Sequence, residues 1–236
     1  MATTIRVKTA DGEMDLYDAE PEAPARGAVV VIQEAFGVNV HIEDVTRRFA
    51  SSGYHAVAPH LFYRSGDPVL DYGNIQSVMP HIQALNERGL EADLDATLAH
   101  LSDAGFDGPH IGVVGFCMGG TVTFLAAAHR RLGAAVTFYG GGVVEGRFGM
   151  RPLVEMAREL QTPWLGLYGD LDQGIPVDQV DALRAAASQA AVPTEVVRYS
   201  EAGHGFHCDA RDSYHETSAT DAWRRTLEWF DAHLAK

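Results

Sequence analysis

The chain has 236 residues, of which 46% are hydrophobic and 21% are charged, and this balance excludes a disordered or fibrous protein. Its formal net charge of -14 is typical of a soluble protein and disfavours a nucleic-acid partner, which usually requires a basic face. We expect one domain over residues 1–236, because a single α/β core commonly reaches about 200 to 250 residues.

The chain has no apolar run that is typical of a signal peptide or a membrane span. We therefore expect a cytoplasmic protein without a membrane partner, either a monomer or a weak homo-oligomer, and no cofactor is indicated. The only two cysteines, Cys117 and Cys208, exclude a disulfide framework. A cytosolic cysteine is instead a small buried side chain, a catalyst or a ligand.

Short β-branched runs alternate with longer segments of helical period, which predicts an α/β fold with a mostly parallel central sheet and helices on both faces. The predicted strands cover residues 5–9, 13–17, 28–33, 54–58, 110–115, 134–139, 164–168 and 195–199. The predicted helices cover residues 40–51, 74–88, 90–104, 121–129, 177–191 and 213–235, with the second and third separated near Gly89. The long loop 59–73 is either a lid or pocket wall or a simple surface excursion.

The most informative motif is the turn at residues 115–120, which read Gly-Phe-Cys-Met-Gly-Gly. It joins a predicted strand to a predicted helix, as a G-x-C-x-G nucleophile turn requires. Glycines two positions before and after Cys117 leave room for a strained backbone, and the amino end of the helix stabilises a thiolate. A phosphate-binding turn is the alternative, but the glycine spacing differs from the dinucleotide and Walker patterns and no basic residue follows closely.

A thiol nucleophile needs a histidine as general base and an acid that orients the histidine. In α/β-hydrolases these residues follow the nucleophile along the chain, first the acid and then the histidine. Asp172 lies in the loop after strand 164–168, and His204 lies between two glycines after the last strand. We therefore expect a triad of Cys117, His204 and Asp172, with Asp170 as the competing acid. Taken singly, the aspartate could cap a turn and the histidine could be an ordinary surface residue.

The tetrahedral oxyanion formed by such a nucleophile needs two backbone N–H donors. One is expected from Met118, directly after the nucleophile, and the other from Ala35 in the loop after strand 28–33. We expect the substrate pocket to be lined by Phe36, Tyr139, Phe206, Cys208 and Arg64.

Four segments of the chain together resemble the dienelactone hydrolase (carboxymethylenebutenolidase) family of α/β-hydrolases. They are residues 33–39 (Gln-Glu-Ala-Phe-Gly-Val-Asn), 115–120, 169–176 and 202–206 (Ala-Gly-His-Gly-Phe). The resemblance implies an α/β-hydrolase fold, an ester or lactone substrate, and triad roles for Cys117, Asp172 and His204. It also implies that Glu34 pairs with the resting thiol and takes its proton when substrate displaces it.

One departure from the family's pattern concerns substrate charge. The family has an arginine four residues after the catalytic histidine that helps to hold the substrate carboxylate, and Cys208 stands there in this chain. A thiol does not replace a bidentate guanidinium, and the sequence gives no clear match for the family's second arginine, for which Arg64 in the long loop is a candidate. We therefore expect weak activity towards anionic dienelactones compared with neutral esters.

Two other classes of function compete with a hydrolase. A metal site could be built from the side chains of His204, His207, Cys208, Asp209 and His215, although it lacks a paired group of ligands elsewhere. A hydrolase fold could also serve as a binding protein without turnover. Cys208 is expected to be a small buried residue, and a regulatory disulfide with Cys117 requires the two to approach each other.

Overall fold

The computed structural model describes residues 1–235, which form an eight-stranded sheet flanked by helices. The strands are β1 (Ala2–Thr9), β2 (Gly12–Ala19), β3 (Ala28–Ile32), β4 (His55–Pro59), β5 (Ile111–Phe116), β6 (Ala134–Phe138), β7 (Trp164–Gly169) and β8 (Thr194–Tyr199). The α-helices are α1 (Val40–Ser51), α2 (Ile75–Ala84), α3 (Glu87–Asp103), α4 (Met118–His129), α5 (Leu153–Met156), α6 (Val177–Ala187) and α7 (Glu216–His233).

The strands lie in the order β1-β2-β4-β3-β5-β6-β7-β8. The hairpin of β1 and β2 is antiparallel and joins the sheet through an antiparallel pairing of β2 with β4. All neighbours from β4 to β8 are parallel. The loops after β3, β5, β7 and β8 therefore open at one edge of the sheet, where sites in such folds gather.

The core forms because β3 and β5 are continuous apolar runs whose residues are all buried. On one face α1 packs on α7, with the ring of Phe49 at 4.6 Å from Trp223 and 5.8 Å from Phe230. A second group of helices is continuous through contacts of α3 with α4, α4 with α5, and α5 with α6. The predicted α/β-hydrolase fold is thus confirmed. No helix among residues 1–235 has the length and apolar character needed to span a lipid bilayer.

The predicted helix break near Gly89 is wrong. The chain leaves α2 at Leu85, whose backbone is extended, and Asn86 then caps α3 by accepting a hydrogen bond from the Gly89 N–H at 3.0 Å. Gly89 is therefore part of the first turn of α3. The helix begins after Asn86 because the Asn86 side chain accepts from the Gly89 N–H, a donor that has no partner within the helix.

Other boundaries differ by a few residues. Strand β1 begins at Ala2 rather than at residue 5, and α4 begins at Met118 rather than at residue 121. The four-residue α5 was not predicted, because a helix of one turn has too short an apolar period to be recognised.

The turn from β5 into α4 requires the backbone of this turn to lie very close to the end of β3. A Cβ atom on Gly119 would lie 2.4 Å from the carbonyl oxygen of Ile32 and 2.5 Å from that of Gln33. A Cβ atom on Gly115 would lie 2.1 Å from the carbonyl oxygen of Gly119. Only hydrogen fits at these positions, so the end of β3 and the start of α4 can lie against each other.

We expect Gly119→Ala to lower the free energy of unfolding by about 1 to 3 kcal/mol, because main-chain atoms must move to admit the methyl group. Urea denaturation followed by circular dichroism measures this change. Gly73→Ala is the matched control, since the nearest atom to its Cβ is a flexible Asp71 carboxylate oxygen at 3.3 Å. Equal stability of the two variants would contradict the packing argument.

Candidate active site

Cys117 occupies the sharp turn between β5 and α4. Its backbone is left-handed, with φ 55° and ψ −115°, a conformation that costs a non-glycine residue of order 1 to 3 kcal/mol. Its N–H donates to the carbonyl of Phe138 at the end of the adjacent strand β6, which fixes the turn against the sheet. The turn leaves the Cys117 side chain partly exposed at the edge where the loops converge.

The sequence-predicted partners of Cys117 lie within hydrogen-bonding distance of one another. His204 Nε2 is 3.0 Å from Cys117 Sγ, and His204 Nδ1 is 2.6 Å from Asp172 Oδ2. The other Asp172 oxygen accepts the Gly174 N–H at 2.8 Å, which fixes the buried carboxylate. This chain of contacts has the geometry of a nucleophile, a base and an orienting acid.

The charges beside His204 favour the protonated form of its imidazole. Burial disfavours the imidazolium, but the negative charges of Cys117 and Asp172 outweigh burial and raise the pKa of His204 to about 10. The sulfur and the buried carboxylate on either side of His204 therefore stabilise the protonated form of its imidazole.

Asp170, the competing acid, is engaged elsewhere. Both of its carboxylate oxygens accept hydrogen bonds from Arg198, at 2.7 and 3.0 Å, and this pairing lowers its pKa. It makes no contact with His204. The structure thus places Asp172, rather than Asp170, beside the imidazole.

The two expected oxyanion donors belong to different elements at the edge of the sheet where Cys117 lies. Met118 is the first residue of α4, and Ala35 lies in the turn after β3. Among residues 1–235, neither N–H donates to a protein acceptor. Both are therefore free to meet a substrate oxygen, and the helix dipole adds positive character at Met118.

Glu34 is fully buried but does not contact the thiol. Its Oε1 accepts long hydrogen bonds from Tyr139 Oη and from Arg211 Nη1, each at 3.4 Å. Its Oε2 has no hydrogen-bond partner among the described residues. The Glu34–thiol pairing that the family resemblance implied is absent from this conformation, because Cys117 instead faces His204.

Sequence reasoning missed Arg211, which lies seven residues after His204. Its guanidinium carbon lies 5.6 Å from the ring centre of Phe36 and 5.7 Å from that of Tyr72. Burial opposes the charged form, but Glu34 and Cys117 outweigh burial and raise the pKa of Arg211. A guanidinium therefore lies beside Glu34, supplied by Arg211 rather than by the residue four positions after His204.

Arg64, the sequence candidate for substrate binding, is committed to structure. Its guanidinium donates to Asp93 at 2.7 and 2.9 Å and to Asp11 at 2.8 and 3.0 Å. These contacts connect the 59–73 loop to α3 and to the first hairpin. The assignment of Arg64 to the pocket is wrong, because two carboxylates already hold its charge.

The remaining predicted pocket residues are aromatic or small. Phe206 is fully buried, and its ring centre lies 5.3 Å from that of Tyr139, so Phe206 packs beneath Tyr139. Cys208 is also fully buried, and its Sγ donates to Tyr72 Oη at 3.3 Å. Burial raises the pKa of Cys208 to about 11, which keeps it a thiol. Phe36, 2% exposed, lies beside Tyr72.

The loop 59–73 lies against the loop that carries Glu34 and Ala35. The Leu70 N–H donates to the Phe36 carbonyl at 3.0 Å, and Asn39 Nδ2 donates to Tyr72 Oη at 2.9 Å. The long loop therefore forms a wall beside the site. Its opening as a lid stays a prediction.

The histidine and cysteine residues of the alternative metal site contact different partners instead of one another. His204 belongs to the triad, and His215 caps α7 by accepting the Ser218 N–H. His207 is buried, with its ring stacked 5.1 Å from that of Phe116. Burial lowers the pKa of His207 to about 3, so it stays neutral. The five candidate ligands do not converge within residues 1–235.

The chain is similar to known proteins over nearly its whole length. The sequence profile described as the Dienelactone hydrolase family matches residues 14–234. A Salmonella typhimurium protein with the provisional name carboxymethylenebutenolidase is 42% identical over 229 residues, which cover 95% of this chain and 84% of the relative. A Bradyrhizobium protein with the provisional name 2-oxo-3-(5-oxofuran-2-ylidene)propanoate lactonase is 30% identical. The aligned residues cover 95% of this chain and 92% of the relative. A crystal structure from Klebsiella pneumoniae, provisionally a dienelactone hydrolase, superposes with a TM-score of 0.91 at 39% identity over 98% of both chains.

Proposed function

Because this chain belongs to the dienelactone hydrolase family, we propose that it cleaves a carboxylic ester or lactone with Cys117 as its nucleophile. The observation that carries the proposal is the continuous contact from Cys117 Sγ through the His204 imidazole to the buried Asp172. The same reaction needs two free N–H donors for the oxyanion, and we assign this role to Ala35 and Met118. We propose that residues 1–236 act as one domain in this reaction.

In the first half of the reaction, the Cys117 thiolate attacks the carbonyl carbon and the carbonyl electron pair moves onto oxygen. The N–H groups of Met118 and Ala35 stabilise the resulting oxyanion. The tetrahedral intermediate collapses to a thioester, and His204 gives its proton to the departing alkoxide or enolate. In a lactone this leaving oxygen stays attached to the acyl group.

In the second half, the neutral imidazole of His204 removes a proton from water, and the hydroxide attacks the thioester carbonyl. The C–S bond breaks, the sulfur leaves as a thiolate, and the carboxylic acid is released. Asp172 stabilises the imidazolium and keeps its Nε2 directed at the reacting atoms. Each cycle consumes one water and restores the imidazolium–thiolate pair.

Arg211 gives the site a preference for anionic substrates, contrary to the expectation from Cys208 alone. Its hydrogen bond to Glu34 is long, at 3.4 Å, so a substrate carboxylate competes well for the guanidinium. Such competition would free Glu34, which is buried and carries one oxygen without a partner. The role that the family resemblance implies for Glu34, accepting the Cys117 proton, then applies only to molecules in which the thiol is not already ionised by His204.

We expect Cys117→Ala to lower kcat/KM for an aryl ester by about 1000-fold or more, because the nucleophile is removed. Cys117→Ser should retain only a small fraction of activity, since a hydroxyl is far less ionised than a thiol. Hydrolysis of a chromogenic ester measures both effects. Mass spectrometry of the iodoacetamide-treated wild-type protein should find the alkyl group on Cys117 and not on the buried Cys208. Ester turnover by Cys117→Ala at the wild-type rate would show that the nucleophile is another residue.

The raised pKa of His204 predicts an unusual pH profile for thiol alkylation. An isolated thiol with a pKa of about 8.5 becomes roughly 25-fold more reactive between pH 7 and 9. Because His204 keeps its proton up to a pH of about 10, Cys117 should change less than about threefold over that interval. His204→Asn should restore the ordinary rise. A steep rise in the wild-type protein would exclude a preformed ion pair.

We expect Arg211→Gln to lower kcat/KM for an anionic lactone by about 10- to 100-fold while changing that for a neutral aryl ester less than about threefold. The difference follows from the loss of a charge-assisted pair with the substrate carboxylate. Arg131→Gln, at an exposed position, is the matched control for loss of positive charge. Equal losses on both substrates would instead assign Arg211 a purely structural role.

A further inference from the structure

A second group of potential ligands lies away from the triad, where β2, β4 and α3 meet. Asp18 Oδ1 is 2.9 Å from His55 Nε2, and Asp18 Oδ2 is 2.8 Å from His100 Nε2. One ligand atom from each residue lies within 4.8 Å of the other two. His55 is the first residue of β4, so this group lies at the opposite end of the parallel strands from the triad.

The group is buried yet reachable from solvent. Asp18 is 7% exposed and His55 is 6% exposed, and the ring of Phe106 packs at 5.8 Å from that of His55. The His100 side chain, which is 23% exposed, provides the approach from outside. A small ion can thus enter beside His100 and lose most of its water on reaching the carboxylate.

The carboxylate of Asp18 has no permanent positive partner. Within residues 1–235, it forms side-chain hydrogen bonds only with the two imidazoles, and no lysine or arginine pairs with it. A buried carboxylate whose only side-chain partners are two imidazole nitrogens favours a bound cation, because no cationic side chain among the described residues lies beside it to balance its charge.

We propose that Asp18, His55 and His100 bind one Zn²⁺ ion, with water as the fourth ligand. Two imidazole nitrogens and one carboxylate oxygen form a common zinc donor set, and tetrahedral coordination leaves one position for water. Each imidazole would donate its Nε2 lone pair to the metal and carry its proton on Nδ1. Only small movements are needed, since the donor atoms already face one another.

A second cluster in the chain is a poorer candidate for a metal. Glu87, Glu91 and His129 also bring their ligand atoms within 4.8 Å of one another. However, Arg130 forms an ion pair with Glu91 and so already neutralises its charge. His129 is exposed, so the group is well hydrated without an ion. This cluster therefore serves as an internal control.

The proposed zinc site would act on stability rather than on the reaction. Its ligands come from three elements that are distant in sequence, so the ion would hold the carboxyl end of α3 against β2 and β4. An ion that binds only the folded chain stabilises it by mass action. At a free Zn²⁺ concentration 100-fold above Kd, the melting temperature should rise by roughly 5 to 10 °C.

The test uses the tag-free full chain, stripped with EDTA and dialysed into metal-free buffer. Isothermal titration with Zn²⁺ should give one site per chain, and His100→Gln and Asp18→Asn should each weaken binding by at least about tenfold. The thermal shift should disappear in both variants and persist in His129→Gln. The kcat/KM for an aryl ester should be the same for wild-type protein and His100→Gln without added metal.

Binding of Zn²⁺ at the triad thiol is the main competing result, so Cys117→Ser is titrated in parallel. Unchanged affinity in Cys117→Ser together with a loss in His100→Gln supports the proposal. Equal affinity in His100→Gln and wild-type protein, or loss of binding in Cys117→Ser, overturns it. Co²⁺ gives a readout that does not depend on any variant folding. Visible bands of tetrahedral Co²⁺ without thiolate charge transfer are expected, and a thiolate band or the absence of tetrahedral bands refutes the proposal.

Discussion

The left-handed backbone of Cys117 is the constraint on which the rest of the site depends. This conformation turns the chain from β5 into α4 within one residue and leaves the sulfur at the amino end of the helix. It persists because glycines on both sides let the backbones of β3, β5 and α4 lie in direct contact. His204 can then reach the sulfur because it comes from a loop at the same edge of the sheet. The strain at one residue is thus maintained by the packing of the whole central sheet.

Much of the fold and part of the site could be predicted from the sequence because their signals are local. The apolar runs of β3 and β5 and the glycine spacing around Cys117 depend on residues that are close in the chain. The choice between Asp170 and Asp172 was not local, because it depends on Arg198 occupying Asp170. The position of Arg211 was also hidden. It depends on how the segment after His204 folds back over Phe36, and no periodicity encodes that path.

The charges of the candidate site are arranged in two pairs that Tyr139 connects. The imidazole of His204 faces the sulfur of Cys117, while the guanidinium of Arg211 faces Glu34. Tyr139 stands between the pairs, with its ring 5.1 Å from that of His204 and its hydroxyl donating to Glu34. A negative charge that enters with a substrate therefore perturbs both pairs at once. The chemistry at the sulfur and the recognition of the substrate are coupled through groups already in contact.

The unpartnered oxygen of Glu34 has a consequence for how this protein can evolve. A buried carboxylate oxygen without a hydrogen bond costs the folded chain about 1 to 3 kcal/mol, which is a sizeable part of the stability of an ordinary domain. An apolar residue of similar shape would remove that cost but would leave Arg211 and Tyr139 without the acceptor that they share. The stability of this part of the site thus depends on the three side chains together. Gains in thermal tolerance are to be sought in the helices and edge strands, where they leave the site unchanged.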